Sequence, residues 1–310
     1  MNNILNIDVT FYKGNNDKTP VEANLYRLLT GEQHEKYKGR VQEVRNESDP
    51  IKRKSLKSAL PMYAISGVFS SSTNESLLRY SSLIGIDIDK KDNEDVANFD
   101  RLKELIRVLP FVAYCGHSVG GQGYFCIIPI AAQHKHVAHY KALELCFKTW
   151  GLTVDSSGSN VCRRRFVSYD SEPYINPEAE VFKHVLEPQH AFSQSKGIIE
   201  RTPEEKVNTA RETARMVCVI NDGKIDITGD YKQWFEICCA LANEFGEPGR
   251  VMFHIVSKFG QSYDCDVADK KFDEALKHEY NYSIGTFFRY ANQHGVNAIA
   301  DFSNITIDKL

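Results

Sequence analysis

An α+β domain followed by a small all-α domain is what this 310-residue sequence predicts. Three observations carry the prediction. Residues 83–90, LIGIDIDK, alternate apolar and polar positions with the period of two that belongs to a strand. From there to residue 169 the periodicity switches in the order strand, helix, strand, strand, helix, strand. Beyond residue 203 the chain turns to helical spacing.

Each element has its own warrant. In LIGIDIDK, alternation sends Ile84, Ile86 and Ile88 into a core and Asp87 and Asp89 to the opposite face. Residues 93–108 place Val96, Phe99, Leu102, Leu105 and Ile106 at helical spacing, and 111–115 and 123–130 are β-rich runs. Residues 133–150 put Val137, Tyr140, Leu143 and Phe147 on one helical stripe, and 165–169 reads as a strand. The order βαββαβ is that of the split ferredoxin-like unit, whose sheet has one face covered by two helices and the other open to a ligand or nucleic acid. Ahead of it lie a strand at Ile4–Tyr12, helical stretches around 20–45 and 50–60, and a strand at Tyr63–Phe69, which extend the same domain. Residues 186–203, LEPQHAFSQSKGIIERTP, are polar, without a sustained period, and carry prolines at both ends. The expected domains are therefore 1–186 and 203–310, with a linker over 187–202. In the second, Trp234, Ile237, Cys238, Leu241 and Phe245 follow helical spacing closed by Gly246. Ser283 precedes a last helix with Phe287, Phe288 and Ala291 inward and Gly295 as its stop.

Composition narrows the function classes. With 42% hydrophobic and 25% charged residues the chain is ordinary globular protein. It has no apolar run long enough to span a bilayer and no secretory signal at the polar start MNNILNID, so the expected location is the cytoplasm, away from any membrane. Cys115, Cys126, Cys146, Cys162, Cys218, Cys238, Cys239 and Cys265 form no C-x-x-C pair and no zinc-ligand spacing, and read as thiols of a reducing compartment. A net charge of −3 argues against a surface coated for DNA. Basic clusters at Lys52, Arg53, Lys54 and Lys57 and at Arg163, Arg164 and Arg165 could still meet phosphates, or be solvated faces.

The candidate chemistry centres on Asp87 and Asp89, about 7 Å apart on one polar face from the strand rise. That spacing suits hard oxygen ligands holding one or two divalent cations against a polyphosphate. Downstream, His117-Ser118-Val119-Gly120-Gly121-Gln122-Gly123-Tyr124 is a glycine-rich connection that brings backbone N–H groups close to an anion, although a tight hairpin needs the same glycines. Asp155 ends a segment after the second helix and is a candidate third carboxylate. In RRRFVSYD, Arg163 and Arg165 face one side and suit bidentate phosphate contacts; an exposed basic edge strand reads the same way.

Taken in order, Asp87-x-Asp89, the Ser/Gly-rich hairpin and hydrophobic-Asp155 resemble the three motifs of the archaeo-eukaryotic primase superfamily, whose catalytic core is an RRM-like βαββαβ unit. The stretch GLTVDSSGSNVCRRRFVSYDSEPYINP looks like the VirE N-terminal type of primase-polymerase domain found in mobile elements. From DYKQWFEICCALANEFG through SIGTFFRYANQHGV the chain is similar to a helical primase C-terminal domain. The resemblance implies a DNA primase or primase-polymerase serving a mobile element, plasmid or phage. In it Asp87, Asp89 and Asp155 hold Mg²⁺ or Mn²⁺ in a two-metal site, and Ser118, Gly121, Gly123, Arg163 and Arg165 bind the nucleoside triphosphate. Single-stranded DNA is the implied template. The chain has no G-x-x-x-x-G-K-[ST], so a helicase partner would be a separate polypeptide. One departure is clear: the second motif commonly ends in a histidine, and here Phe125 stands there. The competing readings are a catalytically inactive primase-fold module that binds nucleic acid or initiates replication, and a rolling-circle nickase. For the latter, His134-Lys135-His136 lacks the apolar residue between histidines.

Overall fold

The computed structural model describes residues 3–96, 98–186, 201–278 and 280–296. The chain divides into two compact units, Met1–Glu144 with Leu152–Gln189, and Leu145–Gly151 with His190–Leu310. As predicted, the first is α+β and the second helical. The expected linker falls outside the described residues as far as residue 200, as does the tail beyond residue 296.

The amino-terminal strand β1 covers Asp8–Tyr12 and starts later than expected, because residues 4–5 form a turn that buries Leu5 completely. Helix was expected from residue 20. Instead Val21–Asn24 forms β2, paired antiparallel with β1 from Asp8↔Asn24 to Phe11↔Val21. Asn24 then caps α1 (Leu25–Leu29), accepting from the Arg27 N–H, and α2 (Gly31–Lys36) and α3 (Lys38–Asn46) follow. Helix α4 (Pro50–Ser58) starts on Asp49, which accepts from the N–H groups of Ile51 and Lys52, and none of its residues is buried.

The single strand expected over Tyr63–Phe69 breaks at Ile65-Ser66 into β3 (Met62–Ala64) and β4 (Gly67–Phe69). The break lets the two halves join different sheets. Strand β5 (Leu77–Tyr80) pairs with β4 so closely that a Cβ on Gly67 would lie 2.3 Å from the Arg79 carbonyl oxygen. Strand β6 (Leu83–Asp89) has the predicted bounds. Ile84, Ile86 and Ile88 are fully buried, while Gly85, Asp87 and Asp89 are half-buried on the other side.

Residues 93–108 are less helical than expected: α5 is confined to Leu102–Ile106, behind a 3₁₀ turn at Phe99–Arg101. Asn93 is buried and engaged through its side chain, and Asn98 is left-handed at φ 58°, so no continuous helix forms. Strands β7 (Tyr114–His117) and β8 (Gly123–Pro129) make the hairpin, and α6 (His136–Thr149) follows. On α6, Tyr140 and Leu143 are buried as predicted, but Val137 is exposed and His136 and His139 take the buried places. Two short strands close the unit, β9 (Arg164–Phe166) and β10 (Tyr174–Ile175).

The expected element order therefore stands from β6 to β9, and the pairing adds detail that order alone does not specify. One sheet runs β10-β7-β8-β6 and a second runs β2-β1-β3-β9, with all pairings antiparallel. Strand β9 pairs with β3 rather than with the β6 sheet, and β10 takes the place beside β7. The sheet face expected to be open is covered. Tyr63 and Ile65 from the β3 region pack in one core with Tyr114, Phe125 and Ile127 of the hairpin.

In the second unit α7 (Pro203–Gly223) begins with a reciprocal capping box between Thr202 and Glu205. Helix α8 (Tyr231–Phe245) starts on Asp230 and stops at Gly246, whose φ is 62°. Helices α9 (Gly249–Ser257), α10 (Cys265–Lys277) and α11 (Ile284–Gln293) complete it. Phe287 and Ala291 are buried as predicted; Phe288 is half-buried, and Tyr290 turns inward to donate to Glu236 at 2.7 Å.

Candidate functional site

Strand β6 is the outer strand of its sheet, which leaves one line of backbone groups without a neighbouring strand. The segment after α6 fills part of it. The Asp155 N–H donates to the Asp87 carbonyl at 3.0 Å, and Asn93 holds Thr153 at both ends, accepting from its N–H at 2.8 Å and donating to its carbonyl at 2.9 Å. Asn93 also donates to the Asp89 carbonyl. These bonds bring Asp155 to the strand that carries Asp87 and Asp89, and Tyr140 adds a hydrogen bond to the Asp155 carbonyl.

The three carboxylates have different partners. Asp87 accepts from Arg165 Nη2 at 2.7 Å, a partly buried ion pair with side-chain exposures of 21% and 12%. Asp155 accepts from the backbone and hydroxyl of Ser157 and from Arg163 at 3.3 Å. Burial works to raise the Asp155 carboxyl, but Ser157, Arg163 and Lys91 outweigh it and hold it below the ordinary value. Asp89 is the contrasting case: burial, then the negative charges of Asp87, Asp92 and Asp155, push it up against the opposing pull of Lys91. Among the described residues the Asp89 side chain accepts no hydrogen bond.

Arg165 is fixed by more than its ion pair. Its guanidinium lies 3.6 Å from the centroid of Phe125, which stands opposite Asp87 in the β6–β8 register, and Arg165 itself stands opposite Tyr63 on β3. Burial opposes its charge, yet the Asp87 carboxylate more than offsets burial and raises it above its ordinary value. Burial also pushes the Tyr63 hydroxyl up to about 12. Arg165 Nε is buried with no hydrogen-bond partner. Phe125, the departure from the motif histidine, is thus the ring beneath the arginine that pairs with Asp87. Arg164 turns the other way, to the backbone and side-chain oxygens of Asn15 and the ring of Tyr12.

The glycine loop is held from behind. Arg45, from the last turn of α3, donates to the carbonyls of Ser118 at 2.9 Å, Val119 at 3.3 Å and Tyr169 at 2.7 Å. With the Gly121 N–H bonded to the Ser118 carbonyl, residues 118–121 form a tight turn. Gly121 has φ 71° and a Cβ there would lie 3.2 Å from Arg45. A Cβ on Gly120 would meet open space, and no backbone hydrogen bond is made by the N–H groups of Val119 and Gly120 among the described residues. Gly123 stands opposite Asp89; a Cβ on it would come within 2.9 Å of the Asp89 carboxylate, so only glycine allows that approach. His117 is half-buried against Tyr124 with Nδ1 unpartnered, and burial lowers it.

The β6 sheet therefore gathers Asp87, Asp89, Asp155, Arg163, Arg165 and Gly123 around one strand end, with Ser118 and Gly121 in the loop beyond it. The ligating atoms of the three aspartates are less tightly grouped than those of His254, Cys265 and Asp269, which all lie within 4.8 Å of one another. Sequence reasoning missed Arg45, Asn93 and Ser157. A buried asparagine and an arginine 73 residues from its acceptor carry no local signal, whereas Ser157 two residues after Asp155 is a recognisable capping pattern.

Residues 55–175 match the family model of the BT4734-like N-terminal domain, and residues 219–291 match that of Primase C terminal 2 (PriCT-2); the two matches together support a primase-like architecture. The first match spans every candidate site residue, and the second spans α8 to α10 and most of α11. A primase-associated, replication-related role follows for the chain. No curated protein and no solved structure matches it. Among the described residues no helix is long and apolar enough to cross a membrane.

Proposed function

We propose that the chain is a DNA primase or primase-polymerase that joins nucleotides on a single-stranded template with Mg²⁺ or Mn²⁺. The observation that carries the reading is the placement of Asp89, a half-buried carboxylate that accepts no hydrogen bond among the described residues, on the same strand as Asp87 and beside the segment that brings Asp155 to that strand. A divalent cation is the ligand that relieves such crowding, and the donors are the hard oxygens it takes. Asp87, Asp89 and Asp155 would hold it. When bound, such ions activate the attacking 3′-hydroxyl and stabilise the leaving pyrophosphate. The residues of the chain do the rest. Arg163 and Arg165, each beside one of the carboxylates, neutralise phosphate charge, and the N–H groups of Val119 and Gly120 offer donors that Arg45 keeps turned away from itself. The exposed basic helix α4 suits the template, since Lys57 lies 5.4 Å from the ring of Phe166 on β9, next to Arg165. The VirE N-terminal type, a mobile-element setting and a separate helicase are the finer parts of the same proposal and rest on the sequence resemblance.

The Asp87–Arg165 pair favours a second reading, a primase fold that binds nucleic acid without turnover, because the guanidinium already supplies a positive charge at Asp87. Primer synthesis on single-stranded templates separates the two. The first reading expects metal-dependent incorporation that Asp87→Ala and Asp89→Ala each abolish, with the fold of both checked by circular dichroism because Asp87→Ala also leaves the buried Arg165 without its partner. Template binding without incorporation by the wild type, under Mg²⁺ and Mn²⁺ alike, would establish the second.

A further inference from the structure

The helical unit holds a group of side chains that the nucleotidyl-transfer reading leaves unused. Asp264 caps α10, accepting from the Val267 N–H at 2.9 Å, and so starts the helix at Cys265. Cys265 and Asp269 are then four residues apart on one helical face. Helix α9 presents His254 to that face. Its Nδ1 lies 4.0 Å from Cys265 Sγ and 2.8 Å from the Tyr263 hydroxyl, and its Nε2 lies 2.9 Å from Asp269 Oδ1. One nitrogen of His254, the sulfur of Cys265 and a carboxylate oxygen of Asp269 all fall within 4.8 Å of one another.

We propose that His254, Cys265 and Asp269 form a binding site for a zinc-class divalent cation. Bond lengths of roughly 2.0–2.3 Å to nitrogen, oxygen and sulfur in a tetrahedral site imply ligand separations of about 3.3–3.6 Å, so the three atoms, now within 4.8 Å of one another, must draw together by up to about 1.5 Å around one nitrogen of His254. Thiolate with imidazole selects zinc over magnesium or calcium. The surrounding charge favours a cation. Arg250, 6% exposed in its side chain, is paired with Glu247, Asp269 and Asp273, so besides the ligand Asp269 two carboxylates face one guanidinium next to the site. Arg250 and His254 both bond Asp269 through Oδ1, and Oδ2 has no hydrogen bond among the described residues. Cys265 and Asp269 are exposed enough for an ion to enter, and a three-residue ligand set leaves a position for water or a further ligand.

The test uses the full chain. Metal-stripped protein is titrated with Zn²⁺ against a chromophoric competitor, and with Co²⁺, whose thiolate charge-transfer absorption reports sulfur bound to metal. One zinc per chain and that absorption are expected. Cys265→Ser should abolish the absorption and weaken Zn²⁺ binding at least tenfold, and Asp269→Asn should weaken it similarly. Cys265 is exposed, and in Asp269→Asn the buried Arg250 keeps Glu247 and Asp273 as partners, so both variants are expected to fold, and circular dichroism checks this. Asp87→Ala and Asp89→Ala should leave the absorption unchanged, which separates this site from the β6 carboxylates. No zinc above the level of Cys265→Ser, or a thiolate signal that survives Cys265→Ser, would overturn the proposal.

Discussion

The Asp87–Arg165 pair joins the two sheets of the first unit, so removing Arg165 should loosen β6 and β8 measurably. Arg165→Met keeps most of the side-chain volume and deletes the charge. Breaking a fully buried ion pair costs about 3–5 kcal/mol because one charge is left without its partner. With Asp87 21% and Arg165 12% exposed, water reaches the abandoned carboxylate, and about 2–3 kcal/mol is the expected share. Losing the guanidinium over Phe125, 3.6 Å away, adds about 1 kcal/mol. The total, about 3–4 kcal/mol, corresponds to amide exchange in β6 and β8 faster by a factor of roughly 100–1000. Exchange read strand by strand suits a chain of two units, whose global unfolding is not one transition. The double variant Asp87→Asn/Arg165→Met should cost about 2 kcal/mol less than the sum of the single changes. Additive effects, or unchanged exchange in Arg165→Met, would show that the pair does not hold the sheets together. If metal occupies the carboxylates as proposed, Mn²⁺ should slow exchange in Arg165→Met more than in the wild type, since the cation replaces the missing charge.

Three further outcomes are expected. Asp89 is raised in the folded state, so its ionisation disfavours folding as pH climbs from the unfolded value through the folded one. Asp89→Asn should therefore melt higher than wild type at pH 7, with the gap closing in acid below the ordinary aspartate value of 3.8. Arg163→Ala should weaken nucleoside triphosphate binding by about 1.5–3 kcal/mol, whereas Arg164→Ala, directed at Asn15 and Tyr12, should change it little; titrations at one fixed salt concentration decide it. Lys52→Ala/Lys54→Ala/Lys57→Ala should lower the salt slope of single-stranded DNA binding by about 2, at roughly 0.7 per phosphate contact, and an unchanged slope would mean that α4 does not meet the template.

Local pattern determined much of this protein. The period of two in LIGIDIDK specifies which side of β6 each residue takes, because that alternation depends only on the pleat and on having one apolar environment to face. The cap at Asp230 and the stops at Gly246 and Gly295 are equally local, since they answer backbone groups within a turn of themselves. The glycine-rich hairpin follows from positive φ at Gly121 and close approach at Gly123. Tertiary structure decided what local pattern leaves free. A three-residue strand such as β9 has too few side chains to specify its neighbour, and it pairs with β3 because the core between the sheets fixes where Tyr63 and Arg165 meet. The break between β3 and β4, the strand at Val21–Asn24 and the shortened α5 arise in the same way, from pairing and burial that override weak intrinsic preference. Asp87 and Arg165 are 78 residues apart in the chain, and Asn93 and Thr153 are 60 apart. The charge state and reach of the candidate carboxylates depend on those long-range partners, because burial and neighbouring charge act through space and leave no period in a sequence.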